Sequence, residues 1–158
     1  MTLENDSDIT IRWYNSDDYE QVEALVRELA GIFGDPFDKR WFKVYMDKRA
    51  MEPVPGCFVA HCADRSEIVG SVFCDVLRDP TGSPYGYISN VMVKKDCRGR
   101  GIGRMLIQRA VEYLTVTGVP RIWANVREET AAMVHLFEKS NFERKFIVME
   151  LKTPPYGI

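Results

Sequence analysis

Three glycines at alternate positions, Gly99, Gly101 and Gly103, separate an apolar stretch from an amphipathic one, and nothing else limits this chain's fold so tightly. Val91-Met92-Val93 closes a strand-like run, and Lys94 to Arg98 makes a short polar turn. Beyond the glycines, Ile102, Met105, Leu106, Ala110, Tyr113 and Leu114 recur at helical spacing. Glycine lets the backbone approach a ligand closely, and the first N–H groups of a helix favour negative charge. The segment therefore reads as an anion cradle, with Arg98, Arg100 and Arg104 adding positive charge at its rim. A Walker loop is excluded, because Gly103 is followed by Arg104-Met105 rather than Lys-Ser or Lys-Thr. The dinucleotide fingerprint needs G-x-G-x-x-G behind a βαβ unit, and neither that spacing nor that lead-in is present.

The remaining elements follow from period and punctuation. Ile9 to Trp13 alternates as a strand, and Asn15-Ser16-Asp17-Asp18 offers capping oxygens to a helix carrying Tyr19, Val22, Leu25, Val26 and Leu29. Gly31 to Pro36 breaks that helix, and a second, aromatic-rich one runs through Trp41, Phe42, Tyr45 and Met46. After the Met51–Gly56 loop, Cys57–Cys62 and Ile68–Leu77 read as a hairpin, and Gly86–Val93 as a further strand. A helix from about Gly101 to Thr117 precedes the strand Arg121–Val126. A helix capped by Thr130 and ended by Asn141 comes next, then a last strand over Phe142–Leu151. The order β-α-α-β-β-β-α-β-α-β is α/β with a mixed central sheet, hairpins early and crossover helices late. With no internal repeat, residues 1–158 are expected to form one domain, weakly ordered at about 1–8 and 153–158.

Composition narrows the function classes. Twenty-one basic residues against 23 acidic ones give a formal charge of −2, which disfavours a nucleic-acid binder working by phosphate neutralisation. No apolar run approaches the roughly 20 residues of a membrane helix. The polar, acidic start (Met1 to Asp8) does not read as a signal peptide. Cys57, Cys62, Cys74 and Cys97 show neither a C-x-x-C pair nor a metal-ligand spacing with His61 and His135. They are expected to be free thiols in a reducing, cytoplasmic setting, with no metal bound.

Arg98-Gly99-Arg100-Gly101-Ile102-Gly103 matches the pyrophosphate loop of acyl-coenzyme A enzymes, Arg/Gln-x-x-Gly-x-Gly/Ala. With the strand before it and the apolar stripe after it, the chain resembles the GNAT superfamily of N-acetyltransferases. The resemblance covers about residues 9–151 and is strongest over Ile88–Leu114. It implies a three-layer fold whose central sheet splays into a V-shaped opening, with acetyl-CoA lying against the strand and helix around the glycines. Carried over residue by residue, cofactor contacts fall on Val91, Met92, Val93, Arg98, Gly99, Arg100, Gly101, Ile102, Gly103, Arg104, Thr130 and Phe137. A bulge is implied near Asn90 and Val91, with the Val91 N–H facing the developing oxyanion. The implied reaction is direct attack of a primary amine, from a small molecule or peptide, on the thioester in a ternary complex. A homodimer is implied too, with no nucleic-acid or membrane partner.

Two departures bear on catalysis. Phe137 stands where the family's usual tyrosine protonates the leaving thiolate, and a phenyl ring cannot do so. Many relatives place a Glu on the central strand, near positions held here by Tyr87 and Ser89. Catalytic candidates are thus the Val91 backbone with Tyr87, Ser89 and Tyr85; Asp75, His61 and Glu128 are further proton-handling groups. The aromatic set Phe33, Phe37, Trp41, Phe42 and Tyr45 reads equally as acceptor pocket or helix core. The departures leave open a GNAT-fold module that binds or senses CoA without efficient turnover, and an acyltransferase using another acyl-CoA.

Overall fold

The computed structural model describes residues 8–154. Strand β1 (Ile9–Trp13) turns into helix α1 (Tyr19–Phe33) through a reciprocal polar cap. The Asn15 side chain accepts from the Asp17 N–H at 2.9 Å, and the Asp18 carboxylate accepts from the Asn15 N–H at 3.0 Å. Arg12 grips the same carboxylate with bonds of 2.7 and 2.9 Å, so β1 and α1 are tied at their junction. Gly34, at φ 68°, ends α1 in the left-handed conformation. Asp38 then accepts from the Trp41 N–H at 2.9 Å and starts helix α2 (Lys39–Met51).

Strands β2 (Cys57–Cys62), β3 (Glu67–Arg78) and β4 (Pro84–Val93) follow, then helix α3 (Ile102–Val116), strand β5 (Ile122–Ala124) and helix α4 (Ala131–Lys139). The sheet order is β1-β2-β3-β4-β5, antiparallel from β1 to β4. β5 is parallel to β4, as the α3 crossover requires. Side-chain alternation sorts the strands into two cores. Phe58, Ala60, Val72, Cys74 and Ile88 pack with Leu106, Ile107, Ala110 and Leu114 of α3, whereas Cys57, Val59 and Phe73 pack with Val22, Leu25, Phe42 and Met46 of α1 and α2. The expected three-layer α/β arrangement holds.

Three expectations are corrected. Phe142–Leu151 forms no strand, so the order closes at α4. The Phe142 N–H is spent on the Phe137 carbonyl at 3.1 Å, finishing α4, after Asn141 turns the chain at φ 68°. The edge that could receive a further strand is β5, only three residues long rather than the six of Arg121–Val126, and it offers few free backbone groups. Thr130 sits at the N-cap of α4, but its hydroxyl donates to the Arg127 carbonyl at 2.6 Å instead of accepting from the helix. The weak order expected for the two ends falls mainly outside the described residues; Asp8 is held by its carbonyl, which accepts from the Ala63 N–H at 2.8 Å.

All four cysteines are free and buried. Burial pushes the Cys74 thiol up to about 12 and raises Cys57 further, from an ordinary 9.0. A thiol held neutral by the fold stabilises it below the unfolded value, and that stability disappears as pH rises from about 9 toward the folded value. Thermal stability under reductant should therefore fall steeply above pH 9, and less steeply in Cys74→Ala. Four thiols should react in denaturant without reductant; two fewer would mean a disulfide.

Candidate functional site

The site begins with a fault in a ladder. Ser71 pairs with Met92 and Phe73 with Ser89, so one β3 residue opposes two residues of β4, Asn90 and Val91. That is a bulge, and Asn90 takes φ 52° to make it. Val91 keeps its side chain in the α3-side core at 7% exposure while its backbone leaves the regular pairing. On the other side, β4 pairs with β5 only through Gly86↔Ile122, Tyr87↔Trp123 and Ile88↔Ala124. Past Ile88 the two strands part, and the expected opening lies beside the bulge.

One short loop further on, α3 starts with open amides. Gly101 is its N-cap at φ 81°, and no side chain caps it. Gly99 is also left-handed at φ 80°, and a β-carbon at either position would meet no atom within 4 Å. With no side chain capping its first turn, the helix start leaves backbone N–H groups for a ligand, a cradle suited to a phosphate group. Gly103 serves packing instead. A β-carbon there would come 3.1 Å from Leu136 Cδ2, so the bare glycine lets α4 pack on α3. Arg98 braces the loop, its Nε donating to the Val93 carbonyl at 3.1 Å.

Charges distant in sequence pin that loop to the β2–β3 hairpin. Arg65 reaches Asp96 at 2.9 Å and the Cys97 sulfur at 2.8 Å, and Lys94 reaches Glu67 at 3.1 Å. The Lys94 N–H also donates to the Val69 carbonyl at 2.8 Å. No local pattern in the sequence marks any of these anchors.

The opposite face of β3–β5 carries the other candidates. Tyr87 accepts from Asn125 Nδ2 at 3.2 Å, linking β4 to the chain beyond β5 where the strands separate. Ser89 accepts from Asn90 Nδ2 at 3.3 Å, next to the bulge. The Tyr85 ring lies tilted against Trp123 at 4.6 Å, six residues and so about 20 Å along the strand from Val91. Asp75 is engaged by Arg49 through two bonds of 2.9 Å and is not a free base. His61 lies on β2 opposite Thr10, remote from the opening, and Glu128 is exposed in the β5–α4 loop. The aromatic set divides. Phe42 is core at 4% exposure, Trp41 is 62% exposed and stacks on Tyr45, and Phe37 packs on Phe42. Phe33 lies under the Arg127 guanidinium at 4.1 Å, and Arg127 also bonds Asp35 at 2.6 Å, clasping the α1–α2 loop to the β5–α4 loop. Phe137 is buried, edge-on to Phe142 at 5.1 Å. A separate surface hollow lined by Tyr19, Glu20, Glu23, Lys39 and Lys43 uses residues of α1 and α2 only.

A family model described as the acetyltransferase (GNAT) family matches residues 22–142. An uncharacterized N-acetyltransferase of Methanocaldococcus jannaschii is 30% identical over 145 residues, covering 88% of this chain and 62% of the relative, so the chain spans less than two thirds of that protein. An acetyltransferase of Pectobacterium atrosepticum is 33% identical over 134 residues, covering 84% of this chain and 86% of its own length. Among solved structures, an aminoglycoside N-acetyltransferase in complex with CoA superposes with a TM-score of 0.74 at 17% identity, over 92% of this chain and 94% of that one. That likeness is one of fold.

Proposed function

The chain belongs to the acetyltransferase (GNAT) family, and from that premise we propose that it moves an acetyl group from acetyl-CoA to a primary amine by direct attack in a ternary complex. The observation that carries this is the pairing of a bulged, half-open β4 with an uncapped α3 N-terminus one short loop away. The presence of CoA in a relative of the same fold supports the same ligand here.

Acetyl-CoA brings an acyl group already activated as a thioester. What is left for the protein is to bind, orient and manage protons. Backbone N–H groups from Arg98 to Arg104, freed by the left-handed Gly99 and Gly101, are assigned the pyrophosphate. The backbones of Val91, Met92 and Val93 are assigned the pantetheine arm, and the Val91 N–H the developing oxyanion. The rigid core around the Val91 side chain holds that N–H in place, so its orientation is set before substrate arrives. Thr130 and Phe137 contribute from α4 as wall rather than as hydrogen-bond donors, since one hydroxyl is engaged and the other position has none. Ser89 and Tyr87 hydroxyls on the acceptor face are assigned proton transfer from the amine through water, with Tyr85 at the far end of the same strand.

The four free thiols support a reducing cytoplasmic compartment. Among the described residues, no helix is long and apolar enough to cross a membrane.

The test is steady-state thiol release from acetyl-CoA across a panel of amines. Release that depends on one amine is expected. Tight CoA binding with no release from any amine would instead establish a binding module, the reading favoured by the phenyl ring at Phe137. Propionyl- or succinyl-CoA in the same assay reads out the acyl preference.

A further inference from the structure

One face of the sheet's open end belongs to neither packed core, and most of its side chains are rings. Gly86 and Ile88 of β4 point toward α3, so Tyr85, Tyr87 and Ser89 stand on the opposite face. Register arranges that face in rows about 7 Å apart: Phe73 opposite Ser89, Asp75 opposite Tyr87, Leu77 opposite Tyr85. Trp123 extends the second row, paired beside Tyr87. Its ring lies 4.6 Å from Tyr85 and 5.1 Å from Phe146, and the Tyr87 hydroxyl is held by Asn125. Tyr85, Tyr87 and Trp123 are only half-buried, which leaves ring surface for a ligand. At the Phe73 end, Tyr45 lies 6.2 Å from Phe73 and carries the 62% exposed Trp41 stacked on it at 4.9 Å.

What the face lacks is free negative charge. Among the described residues, β3 beyond Phe73, β4 and β5 hold one carboxylate, Asp75, and Arg49 takes it with both terminal nitrogens. In the loops at the opening, Asp35 and Glu129 lie 2.6 and 3.9 Å from Arg127, and Glu128 is exposed beside them. Arg121 sets a further positive charge 5.7 Å from the Trp123 ring. A polyamine or an aminosugar would bring several ammonium groups to rings and guanidinium groups, and each would lose water without gaining a partner. A monoamine brings one charge, which is given up before attack. We infer that the acceptor is an aromatic monoamine, its nitrogen at the Ser89 row and its ring one row on, against Tyr87 and Trp123. The inference rests on the acetyl-transfer reading and names the acceptor class for that site. One row is close to the reach of an ethylamine link, and a ring placed there gains apolar burial and ring–ring contact. Arylethylamines carry this skeleton, and so does a peptide whose first residue is phenylalanine.

Two readouts keep the acceptor class apart from the transfer reading. Calorimetry on the full chain saturated with coenzyme A measures amine binding, and thiol release from acetyl-CoA measures turnover. 2-Phenylethylamine is expected to bind at least about 10-fold tighter than ethylamine or spermidine, and to show the highest kcat/KM. The peptide Phe-Gly-Gly in the same two assays tells a peptide N-terminus from a free amine. Trp123→Leu should cut the preference for 2-phenylethylamine over ethylamine about 10-fold. Leu77 is 40% exposed beside Tyr85, so Leu77→Glu adds the missing charge without disturbing a core. It should narrow the preference over spermidine at least about fivefold, and it decides the matter if Trp123→Leu does not fold. Aromatic selectivity in binding with no thiol release would leave the inferred surface standing and refute acetyl transfer. Thiol release that favours spermidine would overturn the inference while transfer stands. So would equal binding of ethylamine and 2-phenylethylamine, no binding of either, a folded Trp123→Leu with its preference intact, or a Leu77→Glu that handles spermidine no better.

Discussion

Coenzyme A affinity is expected to fall about 10- to 100-fold when Gly101 and Gly103 are both replaced by alanine, with the protein still folded. The two positions act by different routes. Gly101 has open space where a β-carbon would go, so alanine meets no neighbour there. Its cost is torsional: φ 81° is a conformation that costs a side-chain-bearing residue roughly 1–2 kcal/mol. The chain relieves that strain by rotating the peptide between Gly101 and Ile102, and the N–H groups that should point at a phosphate are re-aimed. At Gly103 the β-carbon would come 3.1 Å from Leu136 Cδ2 and 3.7 Å from Val93 Cγ2, so α4 must yield. Single variants separate the routes. Gly101→Ala should account for most of the lost affinity, and Gly103→Ala should show more in thermal stability than in binding. Calorimetry with coenzyme A measures the first, and unchanged affinity in the folded double variant would refute the loop assignment.

The loop is legible in the sequence because everything it needs is local. Strand, turn, glycines and helix stripe fall within Ile88–Leu114, and the backbone conformations at Gly99 and Gly101 follow from residue type. The bulge comes from family resemblance, since Asn90 alone would read as an ordinary strand residue. The contacts that hold the site together leave no such mark. Arg65 and Asp96 are 31 positions apart and Arg127 and Asp35 are 92 apart, and only the folded topology makes them neighbours. Thr130 misleads for a related reason. A threonine before a helix usually caps it, but here a carbonyl three residues back competes successfully for the hydroxyl. The strand expected over Phe142–Leu151 has the right residues for a strand and nothing of adequate length beside it in its own chain. Periodicity reports what a segment is suited to, while pairing depends on an edge the segment does not encode.

Arg49→Met is expected to cost about 2–3 kcal/mol of stability, which for a chain of this size lowers the melting temperature by roughly 5–10 °C. Arg49 lies near the end of α2 and touches five residues at once. Two nitrogens take the Asp75 carboxylate at 2.9 Å each, and Nη1 also donates to the Pro55 and Gly56 carbonyls at 3.0 and 3.1 Å. The guanidinium lies 4.6 Å from the Tyr45 ring and 5.0 Å from the Phe73 ring, and it donates to the Tyr45 hydroxyl as well. Methionine fills the space of the stem but takes the guanidinium donor from the carboxylate and the Pro55 carbonyl, whereas the Gly56 carbonyl still accepts from the Cys74 N–H at 2.9 Å. Removing one member of a fully buried pair typically costs about 3–5 kcal/mol. The Asp75 side chain is 29% exposed, so water recovers part of that loss and the smaller figure follows. Asp75→Asn, which keeps the shape and one acceptor, should cost less than Arg49→Met. The double variant should cost less than the two singles added, because the carboxylate left stranded by Arg49→Met is then gone. Urea denaturation of the four proteins gives that coupling, and strictly additive losses would show that the pair itself contributes nothing. The same side chain fixes where Tyr45 stands, and with it Trp41 stacked on Tyr45 at 4.9 Å. If those rings form the acceptor wall, Arg49→Met should raise the KM for the amine in the surviving folded protein while coenzyme A affinity stays unchanged.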